Sequence, residues 1–284
     1  PTPAPAPAPT PAPAPAPTPA PAPAPTPAPA PAPTPAPAPA PTPAPAPAPA
    51  SASQCFNLAL SETQGTVLRS VFNYSGIITG TQTVVATVGG LTSFEGATAR
   101  EIVATTNGTN TIAGLTTTIS TEVKAYNRAA ANGEVTNYGA IVSAPVTVAG
   151  FTVTSNSKTV YNPPWVDRRN TLSAGQQITQ TYTGTTTTTT GGLFGTPGST
   201  TTNTATISDV VRFVGIESVT VPAGTYQACK FENWAPATPA DVTTNWIVVG
   251  SGALAKTLSV SSGGTQLIEA TSLQLNGATL SAGR

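Results

Sequence analysis

Histidine is absent from the 284-residue sequence, which removes the commonest general base and the commonest metal ligand. The two cysteines, Cys55 and Cys229, are too far apart in sequence for a zinc-binding or redox CxxC motif. The glycine-rich residues 191–195 lack the lysine and the helix pattern of a phosphate-binding loop. The sequence therefore predicts a protein that is not an enzyme and that uses no metal and no cofactor.

The two cysteines are predicted to form a disulfide bond with each other. Cys55 lies at the start of the folded part, where fraying would begin, and Cys229 lies on a late predicted strand. The alternative is a pair of buried free thiols that behave as small apolar side chains. Because disulfide bonds persist in oxidising compartments, the pair predicts an extracytoplasmic protein, either periplasmic or at the cell surface or secreted. The absence of methionine fits a processed chain, with its secretory signal removed, or a fragment.

Trp165, Arg168 and Arg169 form the candidate contact site for a ligand or partner. They lie within residues 161–169 (YNPPWVDRR), which we predict to be an aromatic and basic turn. Guanidinium groups pair with carboxylates and phosphates, and an indole ring stacks on a sugar or a cation. The alternative is that the indole packs against the protein while both arginines face water.

Charge is scarce and balanced in this chain. Eleven basic and eleven acidic residues give a net charge of zero, and only 8% of the residues are charged. Such a chain lacks the basic surface that binds nucleic acid or an anionic membrane. No stretch approaches the roughly 18 apolar residues of a transmembrane helix, so no transmembrane segment is predicted.

Residues 1–50 contain only proline, alanine and threonine, and proline occupies every odd position from Pro1 to Pro49. Alternating proline prevents both helix and sheet, so this arm is predicted to form a polyproline II rod. Fifty residues in that conformation reach about 150 Å. The rod would serve either as a spacer in the cell envelope or as an element that packs in register within an assembly. Its evenly spaced threonines suit solubility or O-glycosylation.

Residues 51–284 are predicted to form one all-β domain. Apolar residues alternate with polar ones along most of this part, and threonine and valine are frequent, as is typical of strands. The predicted architecture is a strongly curved antiparallel meander of ten to twelve strands, either a half-barrel or an open barrel. The predicted strands cover residues 66–74, 82–88, 99–105, 111–126, 134–142, 146–154, 176–182, 204–216, 225–234, 243–249, 254–260 and 266–275.

Turn signals separate these strands, and a helix over residues 122–131 is kept as an alternative. Residues 185–190 are all threonine, and the threonine-rich flanks of the following glycine-rich segment are predicted to pair as an exposed hairpin. The predicted turns are Gly89-Gly90, Asn107-Gly108, Asn132-Gly133, Pro222-Ala223-Gly224, Gly263-Gly264 and Asn276-Gly277.

Three segments form a recognisable series: YNPP at 161–164 with LSAGQ at 172–176, GIESVTVPAGTYQACK at 215–230, and Trp246 followed by GSGALAK at 250–256. Together they resemble exported Gram-negative envelope proteins of the DUF3108 and LolA-like half-barrel group. The resemblance covers about residues 160–275. It implies a curved sheet whose concave face shelters apolar groups. The run Ile247-Val248-Val249, the proline arm and the threonine-rich insertion at 183–206 depart from the group's pattern.

Two functions are therefore predicted. The first is a structural or surface-display protein, a subunit of a filament or other assembly that associates with itself or with other envelope proteins. An unpaired β edge or the threonine-rich hairpin would join such neighbours by strand addition. The alternative is a LolA-like binder of a lipid or another apolar ligand in a concave sheet. A glycan is a further candidate partner.

Overall fold

The computed structural model describes residues 18–24, 26, 50–148, 151–192 and 197–281. The chain divides into two units, residues 1–46 and 47–284. In the first unit, residues 18–24 and 26 are exposed and have no regular secondary structure. The other residues of the predicted polyproline arm, up to Pro49, lie outside the described residues, so the arm stays a prediction.

The second unit is an all-β domain, as predicted. Among its described residues, one α-helix, α1, spans Leu58–Glu62, and two single turns of 3-10 helix span Ala52–Gln54 and Arg169–Thr171. Thirteen strands account for most of its described residues: β1 Val67–Gly76, β2 Thr79–Phe94, β3 Ala97–Ile112, β4 Leu115–Ala129, β5 Val135–Val148, β6 Phe151–Asp167, β7 Gln177–Thr190, β8 Ser199–Val221, β9 Gly224–Trp234, β10 Val242–Val248, β11 Leu254–Ser261, β12 Gly264–Leu275 and β13 Ala278–Thr279.

The strands form an antiparallel meander in which each strand pairs with the next one in the chain. β1 also pairs with β12, from Leu68 opposite Leu275 to Gly76 opposite Gln266. This pairing closes the first twelve strands into a barrel, and β13 adds a short strand to β12. The predicted half-barrel or open barrel is wrong in this one respect, since the barrel is closed. Closure satisfies the backbone hydrogen bonds that two free sheet edges would leave unpaired.

Two of the predicted turns lie inside strands instead. Gly89-Gly90 belongs to β2, where the register with β3 shifts between Val88 and Leu91. Gly108 belongs to β3, and a Cβ at this position would overlap the carbonyl oxygen of Thr81 on β2. Glycine is needed at Gly108 for the close approach of two backbones rather than for a turn.

The turns on either side of β3 use residue pairs with positive φ angles. Ala113 and Gly114 have φ angles of 48° and 83°, and they separate β3 from β4. The predicted single strand over 111–126 is therefore two strands, and the alternative helix over 122–131 is wrong because β4 extends to Ala129. The predicted strand over 146–154 is likewise wrong, since β5 ends at Val148 and β6 begins at Phe151.

The predicted pairing of the threonine-rich flanks is confirmed in β7 and β8. Threonines face each other across this pair, and their hydroxyl groups form hydrogen bonds, for example 2.9 Å between Thr185 and Thr204 and 3.2 Å between Thr187 and Thr202. Cross-strand hydroxyl pairs stabilise a sheet without apolar contacts. The tip of the hairpin, residues 193–196, lies outside the described residues.

A small apolar cluster lies on the outer face of the sheet. Phe94, at the end of β2, stacks on Tyr126 of β4 with ring centroids 4.2 Å apart. Tyr126 is only 7% exposed, and its hydroxyl donates a hydrogen bond to Glu101. Burial and this carboxylate raise the pKa of Tyr126 to about 12. The end of the β2–β3 hairpin is thus packed against its neighbouring strands.

No helix among the described residues is long and apolar enough to cross a membrane.

Candidate functional site

The predicted disulfide bond between Cys55 and Cys229 is present. The two Cα atoms are 5.8 Å apart, and both cysteine side chains are fully buried. Around the bond, an apolar cluster includes Phe213 and Phe231 on the barrel and Ala52 on the segment that precedes α1. The bond therefore fastens the start of the folded part to strand β9.

Residues 50–57 thread between two connections of the barrel. The amide of Ala52 donates to the carbonyl of Leu172 at 2.8 Å, in the β6–β7 connection. On the other side, the amides of Gly250 and Gly252, in the β10–β11 connection, donate to the carbonyls of Gln54 and Cys55. In an antiparallel meander both connections lie at the same end of the barrel, which we call the capped end.

Helix α1 continues from this segment to the strands β3 and β4. The side chain of Asn57 caps its N-terminus by accepting a hydrogen bond from the Leu60 amide. Glu62 forms ion pairs with Arg100 and Arg128 at 3.4 and 3.3 Å, and it also accepts a hydrogen bond from the Ala129 amide at 2.8 Å. A helix of five residues is too short to be stable alone, so these contacts and the disulfide hold it in place.

A cavity of about 500 Å³ lies under α1, and it is the candidate binding site. Its walls come from strand β12, from strands β1 to β6 and from α1. Because these neighbouring strands of a closed sheet all point side chains into it, the cavity lies inside the barrel. Most of its lining is apolar, with Leu58 above and Leu68, Ala86, Ile102 and Leu275 on the strands.

Trp165, which lines the cavity, belongs to a cluster of three aromatic rings. Trp165 on β6 stacks on Tyr182 of β7, with the ring centroids 4.7 Å apart and the planes 15° from parallel. Tyr161 contacts both rings by its edge, at 6.3 Å from Trp165 and 5.6 Å from Tyr182. The indole is therefore fixed in orientation where it lines the cavity.

Charged groups lie beside this aromatic cluster. Arg169 and Asp167 line the cavity and form an ion pair of 2.7 Å between Nε and Oδ2. Asp209, on β8, is close enough to Arg169 and Asp167 for their charges to shift its pKa. Burial raises the pKa of Asp209, and Asp167 raises it further, while Arg169 acts in the opposite direction.

Comparisons with known proteins do not assign this chain to a family. No protein-family model matches it. No curated protein matches it either. Among solved structures, it is similar to a chain from Parabacteroides distasonis ATCC 8503 described as a "putative lipoprotein", at 14% identity and a TM-score of 0.30, over 75% of this chain and 96% of the other. A TM-score this low supports no conclusion about fold or function, and the resemblance to the DUF3108 and LolA-like group stays a prediction.

The structure separates the three residues of the predicted contact site. Trp165 and Arg169 line the cavity, whereas the side chain of Arg168 is 57% exposed and pairs with Glu134 at 2.7 Å. The predicted turn over 161–169 is wrong for most of its length, because β6 extends to Asp167. One arginine therefore faces water and the other lines the cavity with the indole, and contact of these residues with a ligand or partner stays a prediction.

The turn Pro222-Ala223-Gly224 is confirmed between β8 and β9, but it contributes no side chain to the cavity. The amide of Ala223 donates to the carbonyl of Ala270 at 2.9 Å, and the carbonyl of Ala223 accepts a hydrogen bond from the Tyr226 hydroxyl. This turn has a structural role in the described part of the barrel.

The other two tryptophans lie on late strands of the barrel. Trp246 is 9% exposed, donates to Glu217 at 2.7 Å, and lies under the ammonium groups of Lys230 and Lys256. Trp234 is half-buried at the end of β9.

Among the described residues, no group of three or more cysteine, aspartate and glutamate side chains is arranged to hold a metal ion.

Proposed function

We propose that this chain is a non-catalytic, extracytoplasmic protein that binds a small apolar ligand inside its barrel. The observation that carries the proposal is the cavity of about 500 Å³, whose size and mainly apolar lining suit a small organic molecule. The absence of histidine from the whole sequence supports a binding role rather than a catalytic one. The disulfide bond supports an oxidising compartment outside the cytoplasm.

Binding of a neutral apolar fluorophore, N-phenyl-1-naphthylamine, tests this proposal. We expect saturable binding at one site per chain, because the fluorophore fits the cavity and gains fluorescence in apolar surroundings. Ala86→Phe places a ring in the cavity and is expected to weaken binding at least about tenfold, as a steric cost of over 1.4 kcal/mol implies.

Ala235→Phe is the matched control, because Ala235 is exposed in the loop after β9 and lies away from the cavity. Equal affinities for the wild type and both variants would place the fluorophore elsewhere on the surface. No saturable binding by the wild type would contradict the proposal.

A second role in self-association is favoured by one feature of β8. Ser199–Asp209 of this strand pair with β7 along one edge, whereas β9 begins to pair only at Val210. No strand in the described part of the chain pairs with the other edge of this segment. An open strand edge can add a strand from a second copy of the chain.

Sedimentation velocity at rising concentration tests the second role. We expect the wild type to form dimers or larger species and Thr204→Lys to remain monomeric, because a charge on the open edge disfavours strand addition. Thr81→Lys is the control, since Thr81 is exposed but its strand is paired on both sides, with Asn73 and Thr109. A wild type that stays monomeric at about 1 mM, far above the usual range for specific association, would rule this role out.

A further inference from the structure

Apart from Nε of Arg169, which is ion-paired with Asp167, four buried polar atoms on the aromatic side of the barrel have no hydrogen-bond partner among the described residues. They are Nε1 of Trp165, Oδ1 of Asn170, Nε2 of Gln180 and Oδ1 of Asp209. Asn170 and Gln180 are only 5% and 8% exposed. Because a buried polar group without a partner is costly, a local concentration of such groups indicates a place where a ligand supplies the partners.

Two of these four groups line the cavity, and the other two lie on the adjacent strands β7 and β8. Trp165 and Asn170 line the cavity. Gln180 lies two residues before Tyr182, whose ring stacks on Trp165, and it is directly opposite Asp209 across the β7–β8 pair. The Oε1 atom of Gln180 accepts a hydrogen bond from the Arg168 amide at 3.4 Å, which leaves its amide nitrogen free to donate.

The facing part of the cavity has the opposite character. It is lined by apolar side chains from four neighbouring strands: Leu275 on β12, Leu68 on β1, Ala86 on β2 and Ile102 on β3. The polar groups come from β6 to β8 and the connection between β6 and β7. In a twelve-stranded ring these two groups of strands lie on opposite sides, so the cavity has one apolar wall and one polar wall.

The polar wall offers hydrogen-bond donors and acceptors in equal number. The indole and the amide nitrogen donate, while the Asn170 oxygen and the Asp209 oxygen accept. A hydroxyl group both donates and accepts, so adjacent hydroxyl groups on one molecule match this set. Two carboxylates, Asp167 and Asp209, oppose an anionic group, and the Arg169 guanidinium beside them opposes a cationic one.

We propose that the ligand is a neutral amphiphile whose head carries several hydroxyl groups, with its apolar tail against β12 to β3. This inference rests on the proposed function and specifies its substrate class. The head would contact Trp165, Asn170 and Gln180, and the tail would lie along Leu68 and Ile102.

Isothermal titration calorimetry with three probes of equal tail length tests the inference. Octyl glucoside has a hydroxylated neutral head, nonanoate an anionic head and octyltrimethylammonium a cationic head, and each is used below its micelle concentration. We expect octyl glucoside to bind at least about tenfold more tightly than either charged probe, because only its head pairs the polar groups without burying an unpaired charge.

The three outcomes are distinguishable. Tighter binding of nonanoate or octyltrimethylammonium would overturn the assignment of the head group while leaving an apolar ligand in place. Binding of none of the probes, together with no binding of the naphthylamine fluorophore, would overturn both the inference and the proposed function.

A variant of Gln180 and a matched control test whether this residue binds the head group. Gln180→Leu removes one buried donor and is expected to weaken octyl glucoside binding about tenfold while leaving the naphthylamine affinity unchanged. Gln227→Leu is the matched control, because Gln227 is exposed on β9. Equal affinity of Gln180→Leu and wild type for octyl glucoside would overturn the assignment of Gln180.

Asp209→Asn provides a second test, by melting temperature and octyl glucoside binding, that is informative even if Gln180→Leu fails to fold. Since burial raises the pKa of Asp209, the ionised carboxylate destabilises the fold above its titration range. The amide is therefore expected to raise the melting temperature at pH 7, with no gain at a pH below the titration. It is also expected to weaken octyl glucoside binding, because its neutral oxygen accepts a weaker hydrogen bond than an ionised carboxylate does. Unchanged binding by this folded variant would show that the head makes no charge-assisted hydrogen bond to Asp209.

Discussion

Reduction of the bond between Cys55 and Cys229 is expected to lower the free energy of unfolding by about 5 kcal/mol, since it releases a constraint on a long loop of the unfolded chain. The two cysteines are 174 positions apart, and the entropy gained by the unfolded state on reduction grows with loop length. For a domain of this size we expect the melting temperature to fall by about 10 to 20 °C. Differential scanning calorimetry with and without dithiothreitol measures this change in melting temperature.

The double variant Cys55→Ser/Cys229→Ser is expected to melt at the temperature of the reduced wild type. Dithiothreitol should not change its melting temperature, because the chain has only these two cysteines. Phe56→Ala is the matched control for packing. It removes the ring that contacts Phe231 at 5.8 Å and keeps the covalent link, so its effect should be clearly smaller. A reduced protein that melts within about 2 °C of the oxidised one would contradict the prediction.

The same reduction bears on the proposed binding role. Residues 50–57 and α1 cross the capped end of the barrel directly over the cavity, and the disulfide is the covalent link that holds this segment to β9. Local opening of such a segment costs less free energy than global unfolding. Reduction at a temperature where the barrel stays folded should therefore speed the release of the naphthylamine fluorophore.

Much of the barrel could be predicted because its signals are local. Alternating apolar and polar residues in β1 and β9, and the frequent valine and threonine of β2, indicate strands whatever lies around them. The two cysteines had only each other as partners. Closure could not be predicted in this way. The pairing of Leu68 with Leu275 joins the two ends of the domain, and no local pattern in either strand indicates which strand lies beside it.

The site was predicted in part for the same reason. Trp165 and Arg169 are notable residue types in a charge-poor chain, so composition alone identified them as candidates. Gln180 and Asp209 are ordinary polar residues, and only the β7–β8 register and their burial distinguish them. Helix α1 was missed because five residues give no helical periodicity.

Glycine was the least reliable indicator of a turn in this sequence. The pair Gly89-Gly90 and the residue Gly108 indicate turns by type, yet they lie inside strands. In a sheet this tightly packed, glycine is also needed where no Cβ can be accommodated, and sequence does not separate this use from a turn. Gly139 on β5 is such a position, and its substitution is the second change with a large expected effect.

Gly139→Ala is expected to lower the free energy of unfolding by about 3 kcal/mol, the upper part of the usual range for overpacking. A Cβ at this position would overlap the carbonyl oxygen of Thr159 and lie 2.6 Å from Cε1 of Phe94. Gly90→Ala is the matched control, since the nearest atom to its Cβ would be 3.8 Å away, on the side chain of Gln64. Urea unfolding of both variants measures the difference, and equal midpoints would contradict the prediction.

The phenol of Tyr126 reports where this strain is relieved. Its pKa of about 12 depends on burial and on Glu101, and Phe94 covers its ring. If Gly139→Ala pushes Phe94 away, the pKa of Tyr126 should fall towards 10, which absorbance at 295 nm follows. The wild type should lose stability as the pH rises from 10 to 12, because the folded state holds this proton more tightly, and the variant should lose less. An unchanged pKa in a destabilised variant would locate the strain at the backbone of Thr159 instead of at Phe94.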